Sequence, residues 1–277
     1  MMAKKHKILN IMYQTIRQSP DKKINFKEQG NGKAIVLLHG FLESLDIWKE
    51  FSNQLSKEFR VITIDLPGHG KSESIDKVNT MELMADCVKA VLDYLKINNC
   101  IMLGHSMGGY TTLAFADKYP DMLKGFGLFH SSALADTPET KENRNNIIKI
   151  VKQDNIKFVR QFITSLFAPE NVKIYEKDII QQQDIAIKMS KQDIIAAIRG
   201  MAERKSMLEA LEKSKVPVLF IIGKKDPRIS YDKILAQATL PKHSEILMLD
   251  NVGHMGYLEA KNETLKTIKC FAEKIFL

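Results

Sequence analysis

The sequence predicts an α/β fold in which a mostly parallel sheet carries helices on both faces. Apolar segments of strand length alternate along the chain with longer segments whose apolar residues recur at helical spacing. Most of the strand-length segments show no alternation of polar and apolar residues, which is typical of parallel strands buried on both faces. The 277 residues are 44% hydrophobic and 27% charged, as in a packed globular protein.

Seven segments are predicted as strands. Segment 24–28 alternates polar and apolar residues, which favours a position at the sheet edge. The other six consist mainly of Val, Ile, Leu, Phe and Met, and are predicted to be buried at 34–38, 61–65, 100–103, 125–129, 218–222 and 245–249.

Helices are predicted where apolar residues between these strands share one face. Segment 46–57 has Asp46 as its candidate N-cap. Segment 80–95 repeats apolar residues at helical spacing. Segment 107–119 stops at Pro120, which cannot continue a helix, and the chain ends in a helix from about 262 to 276.

The segment 134–213 divides the predicted sheet domain in two. It has no strand pattern, and helices are predicted at 146–159, 176–189 and 192–213. Residues 1–133 and 214–277 therefore form the predicted core domain. Because the insertion leaves the sheet at the carboxyl end of strand 125–129, we expect it to cap that end of the sheet. A helical decoration remote from any site is the alternative.

The net charge of +8 arises mainly at the start of the chain. Lysine and arginine total 41 against 33 acidic residues, and the first 33 positions hold eight basic and two acidic side chains. No nucleic-acid-binding motif accompanies them, so we interpret this segment as solvated and expect no nucleic-acid partner. No apolar run approaches the ~18 residues of a membrane helix, so no membrane partner is expected.

The cysteines and the N-terminus favour a cytoplasmic protein. Cys87, Cys100 and Cys270 are widely spaced and odd in number, which fits neither a disulfide framework nor a zinc site. The apolar stretch at 8–12 is short and interrupted by Asn10, so no secretory signal is expected.

The strongest chemical signal is the segment Gly104-His105-Ser106-Met107-Gly108-Gly109, between a predicted strand and a predicted helix. Gly-x-Ser-x-Gly in that context is typical of a nucleophile elbow. The backbone reverses direction within a few residues and holds the serine in a strained conformation, while glycines avoid collisions around the turn. The alternative is a glycine-rich turn, such as one that binds phosphate, with an incidental serine.

Two further residues complete a candidate catalytic triad. A serine hydroxyl needs a base, and the base needs a carboxylate that fixes its tautomer. His254 follows the last predicted strand and Asp226 follows strand 218–222. Both therefore belong to the sheet edge that also carries Ser106. Each alone fits an ordinary loop residue, but their order after successive strands favours the triad.

An acyl-transfer site also needs donors for the developing oxyanion. The backbone N–H of Met107 directly follows the nucleophile. The second donor should come from a loop after an earlier strand, and His39-Gly40-Phe41-Leu42 supplies it. We predict the N–H of Phe41.

These motifs together resemble the α/β-hydrolase superfamily, and within it the capped serine esterase and lactonase-like branch. The matching segments occur in the family's order at 39–41, 65–72, 104–109, 223–226 and 253–254. The resemblance implies an eight-stranded, mostly parallel sheet (the α/β-hydrolase fold) with a helical cap after the sixth strand. The first strand is not evident in residues 10–20.

The resemblance also implies roles for individual residues. Ser106 would be the nucleophile, Asp226 the acid and His254 the base. In similar proteins the segment 65–72 is a structural loop, so Asp65 and His69 receive no catalytic role.

The expected reaction is hydrolysis of a carboxylic ester through an acyl-enzyme on Ser106, without metal or organic cofactor. Carbon–carbon hydrolysis of a diketone, thioester or lactone hydrolysis, and a ligand-binding protein with slow turnover are the alternatives. The expected partner is a small molecule, an ester with a hydrophobic acyl group. Candidate substrate-binding residues flank the chemical positions or lie in the cap: His39, Leu42, His130, Phe158, Phe162 and Met255. For His130, a hydrogen-bonded core histidine is the alternative.

Overall fold

Eight strands form one sheet that is parallel except at its start. The computed structural model describes residues 5–11 and 22–276, with side chains from residue 22 onward. The strands are β1 (Lys5–Ile11), β2 (Lys22–Gln29), β3 (Ala34–Leu38), β4 (Arg60–Ile64), β5 (Cys100–His105), β6 (Leu123–Phe129), β7 (Val218–Gly223) and β8 (Ser244–Leu249). Their order across the sheet is β1-β2-β4-β3-β5-β6-β7-β8. Only the β1/β2 and β2/β4 pairs are antiparallel. The predicted fold class is confirmed.

Both edges of the sheet differ from the prediction. Segment 24–28 lies in β2, which is not an edge because β1 pairs with it on one side and β4 on the other. The basic residues of β1 obscure its strand pattern in the sequence, although charged residues are common in edge strands. At the other edge, β8 is only partly buried, and Ile246 and Met248 are exposed. Of the basic residues near the start of the chain, Lys4 and Arg17 lie outside the described residues, and Lys5 and Lys7 are described only as part of the β1 backbone.

Helices alternate with the strands along the chain and also occupy the long segment between β6 and β7. In chain order they are α1 (Lys49–Leu55), α2 (Met81–Tyr94), α3 (Met107–Lys118), α4 (Pro138–Gln153), α5 (Asn155–Thr164), α6 (Glu176–Ala186), α7 (Lys191–Glu203), α8 (Leu208–Glu212), α9 (Tyr231–Ala238), α10 (Gly256–Glu259) and α11 (Lys261–Phe276).

Local hydrogen bonds explain where helix boundaries depart from the prediction. The Ser44 hydroxyl, not Asp46, caps the 3-10 turn that precedes α1, by accepting from the Asp46 N–H. The predicted helix 146–159 is two helices, because the Asp154 backbone is extended after α4 and the Asp154 side chain accepts from the Lys157 N–H at the start of α5. The first helix of the insertion also begins earlier than the predicted residue 146, with Pro138 as the first residue of α4. A proline fits there because the first turn of a helix has no use for its missing N–H.

The parallel strands bring distant loops to one edge. Because β3, β5, β6, β7 and β8 run in the same direction, their carboxyl ends lie side by side. The residues that follow these ends include Gly40, Ser106, His130, Asp226 and His254. The candidate site is therefore assembled by the sheet topology.

The inserted helices α4–α8 are attached to the core by backbone hydrogen bonds. The Asn79 N–H donates to the Ala196 oxygen of α7 (3.2 Å), and the Met207 N–H donates to the Ala133 oxygen (2.7 Å). Gly200 of α7 approaches the same loop, because a Cβ on it would lie 1.8 Å from the Asn79 oxygen. None of the helices in the described residues has the length and hydrophobicity needed to cross a membrane.

Replacing Gly200 by alanine should destabilise the protein. Helix propensity alone would favour alanine by about 1 kcal/mol, but the new methyl group would collide with the backbone of Asn79. We expect the free energy of unfolding to fall by about 1–3 kcal/mol, as for other overpacked sites. Urea unfolding measures this, with the exposed neighbour Arg199→Ala as control. A Gly200→Ala protein as stable as the native chain would contradict the close packing of α7.

Candidate active site

Ser106 lies in a strained turn between β5 and α3. Its backbone has φ 49° and ψ −114°, a conformation that L-residues rarely adopt. The turn is tight enough that a Cβ on Gly104 would lie 2.1 Å from the Gly108 oxygen. The turn is held by the Ser106 N–H, which donates to the Phe129 oxygen (2.9 Å), and by the Ser131 hydroxyl, which donates to the Ser106 oxygen (2.7 Å). These bonds hold the strained residue in place.

The structure brings the three predicted triad residues together. His254 Nε2 lies 2.8 Å from Ser106 Oγ, and His254 Nδ1 lies 2.8 Å from Asp226 Oδ2. An ionised carboxylate can only accept, so Nδ1 carries the proton and Nε2 is left to accept from the serine hydroxyl. This tautomer is the one that can take a proton from Ser106.

Asp226 is buried and accepts hydrogen bonds on both oxygens. Oδ1 accepts from the backbone N–H groups of Arg228 (2.8 Å) and Ile229 (3.0 Å), and Oδ2 accepts from His254 and from His130 Nδ1 (3.1 Å). Burial alone would raise the pKa of this carboxyl, but its interactions with His254 and His130 outweigh burial and hold the pKa well below its usual range. The group is therefore ionised at neutral pH.

His130 orients Asp226 rather than lining the cavity. Its side chain is buried beside Asp226. Burial lowers the pKa of His130 to about 4, so the ring is neutral at pH 7 and donates from Nδ1. The structure corrects its assignment as a candidate substrate-binding residue, and agrees with the alternative of a hydrogen-bonded core histidine.

The loop after β3 packs directly against the nucleophile. A Cβ on Gly40 would lie 3.2 Å from Ser106 Cβ and 2.9 Å from His105 Nδ1, so only glycine permits this approach. No backbone hydrogen bond in the described residues engages the N–H of Phe41 or that of Met107. Met107 directly follows Ser106 in the chain, and Phe41 directly follows Gly40, the residue that packs against Ser106.

A buried ion pair that the sequence analysis missed supports this loop. Glu43 accepts from the Gly40 N–H (2.5 Å), from His105 Nδ1 (3.0 Å) and from the Tyr257 hydroxyl (3.1 Å). His105 Nε2 meets the His254 oxygen (2.8 Å), so both ring nitrogens face acceptors and the ring must be an imidazolium. Burial opposes both charges, but their attraction outweighs it, raising the pKa of His105 and lowering that of Glu43. The signal in the sequence was a glutamate close to the apolar residues Phe41, Leu42 and Leu45.

A cavity of about 410 Å³ is lined by Ser106 and His254. Phe158 and Phe162, predicted as substrate-binding residues, lie in its wall together with Phe41. The remaining lining is a mixture of apolar and polar side chains, including four cationic residues that the sequence analysis did not single out: Arg144, Arg204, Arg228 and Lys233.

Three other predicted substrate-binding residues lie outside this cavity. His39 bonds the backbone instead, since Nδ1 donates to the Gly40 oxygen (2.7 Å) and Nε2 accepts from the Leu66 N–H (2.9 Å). Leu42 and Met255 are buried in the hydrophobic core. These three residues were predicted to bind substrate because they are close in sequence to candidate catalytic residues, but their side chains do not face the cavity.

Within the described residues, one group of side chains has the composition of a metal site: His130, Asp226 and His254. Their candidate ligand atoms lie within 4.8 Å of one another. The same nitrogen and carboxylate atoms already form the hydrogen bonds of the triad, so a cation would have to displace those bonds. The donor set thus fits an oriented imidazole better than a metal centre.

Comparison with known proteins identifies the family. A family model described as the alpha/beta hydrolase fold matches residues 33–261. The chain belongs to the α/β-hydrolase family. Asp65, assigned to a structural loop in this family, accepts hydrogen bonds from the Leu45 N–H (2.7 Å), the Lys71 N–H (2.9 Å) and Asn25 Nδ2 (2.6 Å).

Similarity to individual proteins extends over most of the chain. A thermophilic esterase from Thermogutta terrifontis, solved with malate bound, is 28% identical with a TM-score of 0.91 and covers 99% of this chain and 100% of that one. Lipase 1 of Psychrobacter immobilis is 25% identical over 90% of this chain and 80% of its own. The acetyltransferase component of an acetoin cleaving system from Pseudomonas putida is 27% identical over 88% of this chain, which spans 64% of that longer protein.

A second carboxylate missed by the sequence analysis joins the His254 loop to the inserted segment. Glu259 accepts from the backbone N–H groups of Gly253 and Met255 (3.1 Å each), on either side of His254 in this hydrolase. It also accepts from the Ala168 N–H (3.1 Å) and from Asn171 Nδ2 (2.7 Å) of the insertion. The His254 N–H donates to the Leu166 oxygen (2.7 Å). The position of His254 therefore depends on the insertion.

The stability of the protein should fall steeply below about pH 6.5. Burial lowers the pKa values of His39, His69 and His130 from 6.5 to about 4, 3 and 4. Between those values and 6.5 the unfolded chain binds protons that the native protein does not. Each histidine should then reduce the free energy of unfolding by about 1.4 kcal/mol per pH unit, or about 4 kcal/mol for all three. His105 adds nothing here, because its raised pKa moves its titration above this range.

Urea unfolding at pH 7, 6 and 5 measures this slope. His69→Asn should reduce the slope by about one third. A free energy of unfolding that stays level between pH 7 and pH 5 would contradict three buried neutral imidazoles.

Proposed function

We propose that this α/β hydrolase cleaves carboxylic esters of small molecules through an acyl-enzyme on Ser106. The observation that carries the proposal is the continuous hydrogen-bond path from the Asp226 carboxylate through His254 to Ser106 Oγ, with 2.8 Å at each step. The similarity of this chain to an esterase and to a lipase, over most of its length, favours esters as the substrates.

In the first step Ser106 Oγ attacks the ester carbonyl carbon while His254 Nε2 takes the hydroxyl proton. The N–H groups of Phe41 and Met107 stabilise the oxyanion, a contribution worth about 10²–10³ in rate per donor in other enzymes. His254 then protonates the leaving alcohol. Asp226 stays ionised and stabilises the imidazolium, because the pKa of its carboxyl lies far below that of an imidazole.

In the second step water hydrolyses the acyl-enzyme. His254 Nε2 removes a proton from the water as its oxygen attacks the acyl carbon, and the proton then returns to Ser106 as the carboxylic acid leaves. The same groups would serve a thioester, a lactone or a diketone, and a panel of these substrates separates the alternatives.

We further propose that residues 134–213 are a cap on a core of residues 1–133 and 214–277. Phe158 and Phe162 of α5 lie in the same cavity wall as Phe41, and Phe41 and Phe162 are in edge-to-face contact with centroids 5.6 Å apart. Such walls suit a hydrophobic chain and exclude water from the oxyanion.

Replacing Ser106 by alanine should abolish hydrolysis of p-nitrophenyl acetate. Removing the nucleophile of a serine hydrolase lowers kcat by up to about 10⁶-fold, and we expect at least a 10⁴-fold loss measured by p-nitrophenol release. Ser56→Ala, at the end of α1 and remote from the cavity, is the control and should keep native activity. A Ser106→Ala protein with more than a tenth of native kcat would rule out the proposed mechanism.

Replacing Glu259 by alanine should misplace His254 without removing any reacting group. We expect kcat for p-nitrophenyl acetate to fall about ten- to a hundredfold with little change in KM, because small errors in the position of a catalytic group are costly. Glu263→Ala, exposed on α11, is the matched control. If both variants showed the same kcat, Glu259 would have no positioning role.

A further inference from the structure

The cavity that contains Ser106 has an excess of positive charge in its wall. Arg144 from α4, Arg204 just after α7, Arg228 after β7 and Lys233 from α9 all line it. Asp136 is the one acidic side chain among the described residues of this lining. A wall made only to hold a hydrophobic chain has no need of these cations.

Two of the arginines share the single carboxylate. Asp136 is buried and forms ion pairs with Arg144 Nε and with Arg204 Nη1 (2.6 Å). One carboxylate cannot balance two guanidinium groups, so this cluster retains a net positive charge. Arg204 Nε is buried and has no hydrogen-bond partner in the described part of the chain.

The third arginine has no carboxylate partner of its own within the described residues. The Arg228 guanidinium donates to the Ser165 hydroxyl (2.5 Å) and stacks over the Phe162 ring at 4.7 Å. Arg144 and Arg228 line the same cavity, so an anion bound between them would offset both positive charges.

Aromatic rings connect these cations to the reacting atoms. Arg228 stacks on Phe162, and Phe162 contacts Phe41, the residue of the proposed oxyanion loop. Arg204 stacks at 4.1 Å over Tyr110, which lies one turn along α3 from Ser106. Aromatic rings thus accompany the arginines in the cavity wall, and the guanidinium groups are donors suited to a carboxylate.

We propose that the preferred substrates are esters that carry a second, free carboxylate, separated from the scissile ester by a short apolar chain. This inference rests on the proposed ester hydrolysis and specifies its substrate class. The apolar chain packs on the phenylalanine wall, and the carboxylate binds between Arg228 and the Arg144–Asp136–Arg204 cluster. The carboxylate can belong to the acyl part or to the alcohol part of the ester.

Two matched pairs of substrates test the preference. Monomethyl adipate and its neutral amide, methyl adipamate, differ only in the charge at the end of the acyl chain. 4-Acetoxybutanoate and 4-acetoxybutanamide make the same comparison on the alcohol side. In at least one pair, we expect kcat/KM of the native protein to be about tenfold or more higher for the carboxylate than for the amide. The difference should lie mainly in KM, because the amide cannot form the charge-assisted hydrogen bonds that the carboxylate forms with the arginines. The pair that shows the preference identifies the side.

Arginine variants test which residues cause it. Arg228→Gln and Arg144→Gln should each reduce the ratio of kcat/KM for the carboxylate ester over kcat/KM for its neutral amide about tenfold. Arg228 is exposed and Arg204 still pairs with Asp136 when Arg144 is replaced, so both variants should fold. Arg199→Gln removes the same charge from an exposed position on α7 outside the cavity, and should keep the native preference.

These experiments separate a wrong substrate class from a wrong reaction. Equal turnover of carboxylate and amide in both pairs would overturn the inference and leave ester hydrolysis intact. A preference that survives in Arg228→Gln and Arg144→Gln would overturn it as well. No turnover of these four esters or of p-nitrophenyl acetate would overturn the proposed function, and the inference with it.

Discussion

The buried carboxylate of Asp226 holds two imidazole rings and the start of a loop in fixed positions. It accepts from His254, from His130 and from two backbone N–H groups, so its negative charge is retained in an interior site. That charge sets the tautomer of His254, and the tautomer directs a free nitrogen lone pair at Ser106. A neutral or differently oriented group in place of Asp226 would leave the tautomer and the orientation of the His254 ring unfixed.

A second layer of charged side chains, buried or half-buried, fixes the loops that carry these groups. Glu43 and His105 connect the Gly40 loop to the His254 backbone, and Glu259 connects the His254 loop to the inserted helices. Each carboxylate accepts several hydrogen bonds, which offsets the cost of its burial. The insertion therefore does more than border the cavity, because it also supports the imidazole.

The convergence of Ser106, Asp226 and His254 was predictable because it follows from topology: each residue comes directly after a parallel strand, and such strands end at one edge. The Glu43–His105 pair was not, because it depends on how a loop folds back onto the turn beside Ser106. For the same reason His39, Leu42 and Met255 could not be assigned to a side of their loops from sequence adjacency. The four cavity cations come from four separate segments of the chain, whose packing no local pattern encodes.

Covalent labelling tests the central claim most directly, since it reports on one hydroxyl rather than on an assumed substrate. The native protein would be treated with a fluorophosphonate and its peptides mapped by mass spectrometry. We expect a single adduct, on Ser106, that forms much more slowly when His254 is replaced by alanine. An adduct on another serine, or none under conditions that label a known serine esterase, would contradict a nucleophilic Ser106.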